Sequence, residues 1–595
     1  MTGTRSKGAR AFALAASLML VVGACGSSAS PAPSTAASVA ASTAASTAPS
    51  TAASEAASQA AASQAAASAS AAGAFSATQD AVAGGSATVG LPAGGIDHLE
   101  PALWYFATTW EIGFATCTPL VTFPDKTGQE GGQVIGGLAD LPTVSADGKT
   151  WTFKLRSGIT FANGKPITGD DIVYTWKRML APDMASAADG FFSDIVGAAD
   201  YIAGKSKDLP GVTASGDTVM FTLNKPIGSF LYRMTLPFTC PVPTGFQMAA
   251  AEDGSALVTG PYIVDSYTPN QTLVLKKNPN YNATALGARG KYDTITIQMS
   301  VDPAQAGLQI RAGQMATYMD RLASADASSA LQDSTLTGRV FQNTLPVTMY
   351  LFLNATVAPF DNVKVRQAVN YALNRDAILR VWGGPSQGSI TNQILPPTMP
   401  GFQKLDLYPS GGDLEKAKAL MAEAGVTGPV KLDLRTINDT PGYMEIAQAV
   451  QEQLKAVGIE VNILGSPNST NYGFISTPAN KIPMGIAAWT QDYPDPDDFF
   501  LPLLDGTRIT KTNNNDFASF SDPAMSTRYA AMDAVSDPTQ RAAGWNAIEK
   551  DTMTNFAPWA PLFNNNTVNL LAENVCGYVY HPVYTLDLTT LGNCQ

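Results

Sequence analysis

Residues 141–173 read LPTVSADGKTWTFKLRSGITFANGKPITGDDIV, and the organisation of the chain follows from this stretch. Asp147-Gly148 is a hairpin turn signal, because both residue types tolerate the backbone of a tight turn. Behind it, Trp151-Thr152-Phe153-Lys154-Leu155 alternates apolar and polar side chains. A period of two predicts a strand with one buried face. Thr168-Gly169-Asp170-Asp171 then precedes Ile172-Val173-Tyr174-Thr175-Trp176-Lys177-Arg178-Met179-Leu180, and Pro182 follows. A hydroxyl that can cap free backbone N–H groups, with carboxylates in the first turn, opens an amphipathic helix that the proline ends.

Working outward, Thr218-Val219-Met220-Phe221-Thr222-Leu223 repeats the strand alternation. Asp413 to Gly425 reads as a helix with aspartate at its start and glycine at its end. Ile446, Val450, Leu454 and Val457 share one helical face, Gly458 stops that helix, and Ile459-Glu460-Val461-Asn462-Ile463 alternates as a strand. Strand, helix, strand is the unit of a parallel or mixed sheet. A helix is also expected from Val365 to Val381. From Gly84 to Gln595 the two kinds of signal are mixed without a fixed repeat, which is α/β composition.

The chain has 595 residues, too many for one hydrophobic core. Its 37 Lys and Arg against 49 Asp and Glu give a net charge of -12, which argues against nucleic acid or an anionic surface as partner. His98 and His581 are the only two histidines, leaving little room for a histidine-based metal or catalytic centre. No metal and no cofactor are expected.

Arg5, Lys7 and Arg10 precede the apolar run Ala11 to Ala24, the order of an export signal. Fourteen helical residues span only about 21 Å, too short for a bilayer. Val22-Gly23-Ala24-Cys25 resembles the lipobox of bacterial lipoproteins, in which Cys25 becomes the acylated N-terminus. Residues 25–83 are then expected to form a disordered Ala/Ser/Thr-rich tether, since repeats such as STAAS and SQAAAS have almost nothing to bury. With Cys25 assigned to lipid, Cys117, Cys240, Cys576 and Cys594 remain for two disulfides in an oxidising compartment. Of three connectivities, Cys117 with Cys240 and Cys576 with Cys594 is favoured, and buried free thiols are the alternative.

The 141–173 stretch, Gly260-Pro261-Tyr262, Asn278-Pro279-Asn280-Tyr281, Asn354 with Pro359-Phe360-Asp361, Val365-Arg366-Gln367-Ala368, Ala372-Leu373-Asn374-Arg375 and Trp489-Thr490-Gln491-Asp492-Tyr493-Pro494-Asp495-Pro496 occur in one order. Together they resemble the extracytoplasmic solute-binding proteins of family 5, the oligopeptide- and dipeptide-binding lipoproteins of ABC transporters. The resemblance implies a two-lobed, type II periplasmic-binding-protein fold with the ligand in a cleft between lobes. It further implies residues 84–118 with 259–345 and 555–595 as the core of lobe I, 119–258 as an accessory domain of that lobe, and 346–554 as lobe II. The implied protein is a monomer that captures a small peptide, hands it to ABC permease subunits, catalyses nothing, and is lipid-anchored to the outer face of the cytoplasmic membrane.

Within that resemblance, the aspartate of the Trp-x-x-Asp segment faces the ligand's ammonium, which makes Asp492 the expected ligand group. A charge taken into a closing cleft is costly unless paired, so a buried carboxylate and an ammonium suit each other. The competing reading places Asp492 in a solvated acidic turn with Asp495, Asp497 and Asp498. Trp489 is expected in the cleft wall, with a plain core tryptophan as its alternative, and Asn354 and Tyr493 are further candidates. Arg366 reads as a structural ion pair, and the cation for a ligand carboxylate stays unassigned.

Gly384-Pro385-Ser386-Gln387-Gly388 fits the pattern of a hydrolase elbow, but an elbow joins a strand to a following helix, and here a helix precedes. The aspartates from 492 to 498 lack the glycine of a calcium loop and are interrupted by Pro494 and Pro496. The main alternative function is the same fold binding a non-peptide solute such as a nickel complex, an oligosaccharide or an opine-like compound. An exported hydrolase or a structural surface protein would be a different class.

Overall fold

The computed structural model describes residues 76–256 and 258–595. The export signal, Cys25 and residues up to 75 lie outside the described residues. Residues 76–83, expected to be tether, belong to the folded body instead. Ala77 is fully buried, its N–H donates to the Gly338 carbonyl at 2.7 Å, and its carbonyl accepts from the Tyr578 N–H at 2.8 Å. A small side chain costs little to order and fits where the chain passes over packed strands.

Lobe I holds a five-stranded mixed sheet and a four-stranded antiparallel sheet. In the first, Ser86–Gly90 pairs in parallel with Thr294–Gln298, whose other edge meets Thr272–Lys277 and then Tyr262–Thr268. In the second, Thr150–Lys154 lies antiparallel to Thr218–Thr222, the two runs whose alternation predicts strands. Trp151, Phe153, Val219 and Phe221 are buried under the helix Gly169–Met179. That helix opens on a capping box. The Thr168 hydroxyl accepts from the Asp171 N–H, and the Asp171 carboxylate accepts from the Thr168 N–H at 2.9 Å.

Lobe II is built on a six-stranded sheet in the order Gly388–Ile390, Trp559–Leu570, Val340–Leu353, Met484–Thr490, Val430–Ile437, Ile459–Ser466. The last two are parallel and joined by the helix Tyr443–Lys455, the strand-helix-strand unit expected from the pattern around Gly458. Both faces of the sheet are covered. Met349, Leu351 and Leu353 point to one hydrophobic layer and Tyr350 and Phe352 to the other, so the strand reads as an unbroken apolar run. The helix expected from Val365 to Val381 is two helices, Val363–Ala372 and Arg375–Trp382. The Asn374 side chain accepts from the Ala377 N–H at 2.8 Å and restarts the chain as a new helix. This sets the fully buried Arg375 guanidinium on the carbonyls of Pro561 and Asn370.

Two long strands cross between the lobes. Val340–Leu353 and Trp559–Leu570 run antiparallel, with a break in register between Thr344 and Thr348. Val568 and Leu570 pack in the lobe I core, whereas Ala560, Leu562 and Phe563 pack in lobe II. The return crossing therefore falls inside Trp559–Leu570, later than the 554/555 boundary expected from the sequence. The polar run Asn564-Asn565-Asn566-Thr567 separates Phe563 in one core from Val568 in the other and marks the crossing.

Cys117 is bonded to Cys240 and Cys576 to Cys594. The first ties the end of the helix Ala107–Thr116 to the accessory sheet domain. A second tie is the buried, bidentate pair of Arg178 with Glu100, at 2.6 and 2.7 Å. Gly260 lets the following strand approach that helix end, since a Cβ there would lie 2.3 Å from the Thr116 carbonyl carbon.

Candidate ligand cleft

A cavity of about 810 Å³ lies where the two lobes meet. Lobe I supplies the 92–95 loop, Tyr105 to Thr108, Trp110, Glu111 and Met319 to Arg321; lobe II supplies Tyr472 and Trp489 to Asp492. The crossing strands contribute residues 345–347, Thr567 and Asn569. This size is within the range of ligand pockets, roughly 300 to 1,000 Å³.

The strand Met484–Thr490 delivers Asp492. Trp489 pairs with Thr348 in register, and the Gln491 N–H donates to the Pro346 carbonyl at 2.9 Å, so the segment leaves the sheet beside the interlobe crossing. Asp492 is 8% exposed and lines the cavity. Its N–H donates to Asp498 Oδ2 at 2.9 Å, and the Trp489 indole N–H donates to the same oxygen at 3.3 Å. Across the cleft, Tyr105 lines the cavity beside Asp492. Tyr105 is held by Asp97, whose Oδ2 accepts from the N–H groups of Tyr105 and Phe106 at 2.7 and 2.9 Å.

No cation pairs with Asp492 or Asp498 among the described residues. Burial therefore pushes the Asp492 carboxyl up to about 7 and carries Asp498 well above the carboxylate range, the nearby Asp492 charge adding to the effect. Two buried carboxyls without a counter-charge form a site short of one positive charge. Glu111 presents a third carboxyl at 2% exposure, with Oε1 accepting from the Thr585 hydroxyl and Oε2 unpartnered. Burial raises it far above the usual range as well.

Asp495 and Asp497 belong to a different arrangement, although the sequence reads all four aspartates as one acidic turn. Arg541 holds Asp495 in a bidentate pair at 2.6 and 2.7 Å and reaches Asp497 at 3.0 Å. Arg233, from the accessory domain, reaches Asp497 at 3.3 Å. The two guanidiniums hold Asp497 below its ordinary value despite full burial. The solvated-turn reading is thus overturned, since each of the four aspartates is at most 8% exposed. No cluster of three or more His, Cys, Asp or Glu side chains placed to bind a metal occurs among the described residues.

Trp489 lines the cavity. Tyr493 and Asn354 do not. Tyr493 turns into the accessory-domain core, 6.2 Å from the Phe191 ring and 5.7 Å from the Arg233 guanidinium. The side chain of Asn354 closes a turn, its Oδ1 accepting from the Thr356 N–H at 3.0 Å and its Nδ2 donating to the Ile482 carbonyl at 3.0 Å. Among the described residues Arg366 makes no ion pair, and it donates to the carbonyls of Phe556 and Phe360. Ser386 touches Ser328 Oγ at 2.9 Å and the Gly383 carbonyl, with no histidine beside it. Tyr105, Asp498 and Glu111, the first and third reaching the cleft wall from distant segments, carry no local motif by which the sequence could have marked them.

A family model described as bacterial extracellular solute-binding proteins, family 5 Middle, matches residues 133–511, more than half of the chain. Heme-binding protein A of Haemophilus influenzae is 27% identical over 473 residues, covering 75% of this chain and 81% of that protein. Di/tripeptide-binding protein 4 of Pseudomonas aeruginosa is 29% identical over 484 residues, covering 77% and 86%. Among solved structures, the clavulanic acid biosynthesis oligopeptide binding protein 2 superposes with a TM-score of 0.80 at 26% identity, covering 86% of this chain and 96% of that one. No helix among the described residues is long and apolar enough to cross a membrane. With two lobes, a cleft between them and these likenesses, the chain belongs to the bacterial extracellular solute-binding proteins of family 5.

Proposed function

We propose that this protein captures short peptides outside the cytoplasmic membrane and delivers them to the permease of an ABC importer. Kinship alone does not choose the solute, because relatives of similar identity are named for haem and for di- and tripeptides. The observation that carries the peptide reading is the Asp492–Asp498 pair, two buried carboxyls of which Asp492 lines the cavity, with hydrogen-bond donors but no cation among the described residues. An α-ammonium supplies the missing charge and three donors. The aromatic walls, including Tyr105, Trp110 and Trp489, offer side-chain room without demanding a particular residue. Membership of a solute-binding family supports a binding role. Cys25 would carry the lipid anchor, and the protein would work as a monomer.

Native mass spectrometry of protein purified without unfolding, then titration with a dipeptide-to-pentapeptide library, tests this reading. Peptides should bind with dissociation constants of about micromolar, near 8 kcal/mol. Binding of haem, a nickel chelate, an opine or an oligosaccharide in place of every peptide overturns it.

A further inference from the structure

Asp492 answers the ammonium of a peptide, and a second buried acid in the cavity is left over. Glu111 sits in the lobe I helix Ala107–Thr116, three residues after Thr108, which shares its face and also lines the cavity. Its Oε1 accepts from the Thr585 hydroxyl and, at 3.3 Å, from the Leu586 N–H, which ties the helix to the hairpin of Tyr580–His581 and Thr585–Leu586. A neutral glutamine would make the same tie at lower cost, because a buried charge is penalised unless it is paired. The tie therefore does not explain the acid.

Oε2 of Glu111 has no partner among the described residues, and it is not alone. Gln491 donates through Nε2 to the Pro582 carbonyl at 3.2 Å, on the same hairpin, and its Oε1 is unpartnered. Tyr580 Oη is unpartnered as well. Glu111, Gln491 and Tyr580 are 2%, 3% and 6% exposed and all line the cavity, two of them bonded to the hairpin that carries the third. Each of the three free atoms can accept a hydrogen bond, and a buried acceptor left unmet is costly. Asp320, also on the cavity wall, adds to the negative field at Glu111. Arg321, the one cation lining the cavity among the described residues, lies 5.1 Å from the Trp382 ring centroid and makes no ion pair with Glu111. The complement of this wall is a positive group with several donors and no acceptor, which is an ammonium or a guanidinium.

Resting on the peptide reading above, we propose that Glu111, with Gln491 and Tyr580, forms a subsite that receives a basic side chain of the bound peptide. One α-ammonium cannot serve Asp492 and Glu111 at once, so the second deficit falls to a lysine or arginine side chain. The substrate class is then a short peptide carrying a lysine or an arginine, while the aromatic walls leave its other side chains free. Glu111 and Tyr580 stand on lobe I and Gln491 on lobe II, so the subsite is whole only with the lobes together.

Isothermal titration at neutral pH with alanine tripeptides carrying a single Lys or Arg at each position in turn, each matched by norleucine or citrulline, separates the possibilities. At one position the wild-type protein should bind the basic peptide on the order of a hundredfold more tightly than its neutral match, as expected for a desolvated charge pair. The Lys and Arg arms show which cation fits. In Glu111→Gln, whose amide oxygen can keep the bonds from Thr585 and Leu586, that ratio should fall near one while the neutral peptides bind as before. If this variant fails to fold, proton counting on the wild type decides. Empty Glu111 holds its proton, so titration in buffers of different ionisation enthalpy should find about one proton more released by the basic peptide than by its neutral match. Asp492 meets the same α-ammonium in both peptides, so its proton cancels. A wild-type ratio near one at every position, a ratio that survives Glu111→Gln, or equal proton release overturns the proposal while leaving peptide binding intact. Equal weakening of basic and neutral peptides by Glu111→Gln also overturns it, placing Glu111 in the seating of the 580–586 hairpin. Binding of no tripeptide of either kind defeats the peptide reading and this proposal together.

Discussion

Asp492 and Asp498 differ from Asp495 and Asp497 in one respect that decides what each pair does. All four are buried, and all lie in or beside the turn that ends the Met484–Thr490 strand. Asp495 and Asp497 face two guanidiniums, Arg541 and Arg233, one from lobe II and one from the accessory domain. Asp492 lines the cavity beside a tyrosine hydroxyl, and Asp498 accepts from an indole N–H and the Asp492 N–H, with no cation at either among the described residues. The first pair is complete without a ligand and joins parts of the protein. The second is incomplete, and its deficit matches what the cleft is there to receive. Burial is shared, so it does not separate structure from function here; the presence of a counter-charge does.

The largest effect that would sharpen this contrast is on stability. Arg541→Ala leaves Asp495 and Asp497 buried with a single cation, and the unfolding free energy should fall by about 3 to 5 kcal/mol. A shift of the urea midpoint equivalent to less than about 1 kcal/mol would show that the paired acids do not depend on Arg541.

Asp492→Asn should act in the opposite way. Peptide affinity is expected to fall by about 2 to 5 kcal/mol, while folding stability at neutral pH holds or rises. The stability sign follows from burial: the folded-state pKa of Asp492 is raised to about 7, so the unfolded chain releases this proton first, and stability falls as pH climbs from the unfolded value towards 7. Asparagine removes that penalty. Calorimetric unfolding with and without a bound peptide checks both halves.

A smaller effect is expected from pH. Below about 7 the empty Asp492 holds a proton that ammonium binding must displace, so affinity should drop by about tenfold per unit as pH falls. Above about 8 the peptide amine loses its own proton and affinity should fall again. A flat profile across this window would mean that the ammonium does not meet Asp492. The smallest effect is expected for Tyr493→Phe, which should leave peptide affinity within about twofold, because that ring packs in the accessory core away from the cavity.

Much of the fold was legible because local physics wrote it. The Thr168–Asp171 capping box, the alternation in residues 151–155 and 218–223, and the stop at Gly458 all act within a few residues, and each element formed where its pattern lies. Asp492 and Trp489, the two ends of the Trp-x-x-Asp motif, both line the cavity. It could not place Tyr493 and Asn354 correctly, because which side of a turn a residue takes is fixed by distant partners: Arg233 and Phe191 for one, Ile482 for the other. The split of the four aspartates was illegible for the same reason. It is decided by Arg233, 264 residues from Asp497, and Arg541, 46 residues from Asp495. The crossing of the Trp559–Leu570 strand does leave a mark, the polar run Asn564 to Thr567 between the two cores, which the boundary expected at 554/555 did not use.

The most direct measurement is a two-by-two titration: one tripeptide with a free and with an acetylated amino terminus, each against the wild-type protein and Asp492→Asn. An ammonium received by Asp492 predicts that acetylation costs the wild type about 2 to 5 kcal/mol of binding and costs the variant almost nothing. Equal losses in both proteins, or equal binding of both peptides by the wild type, would contradict it.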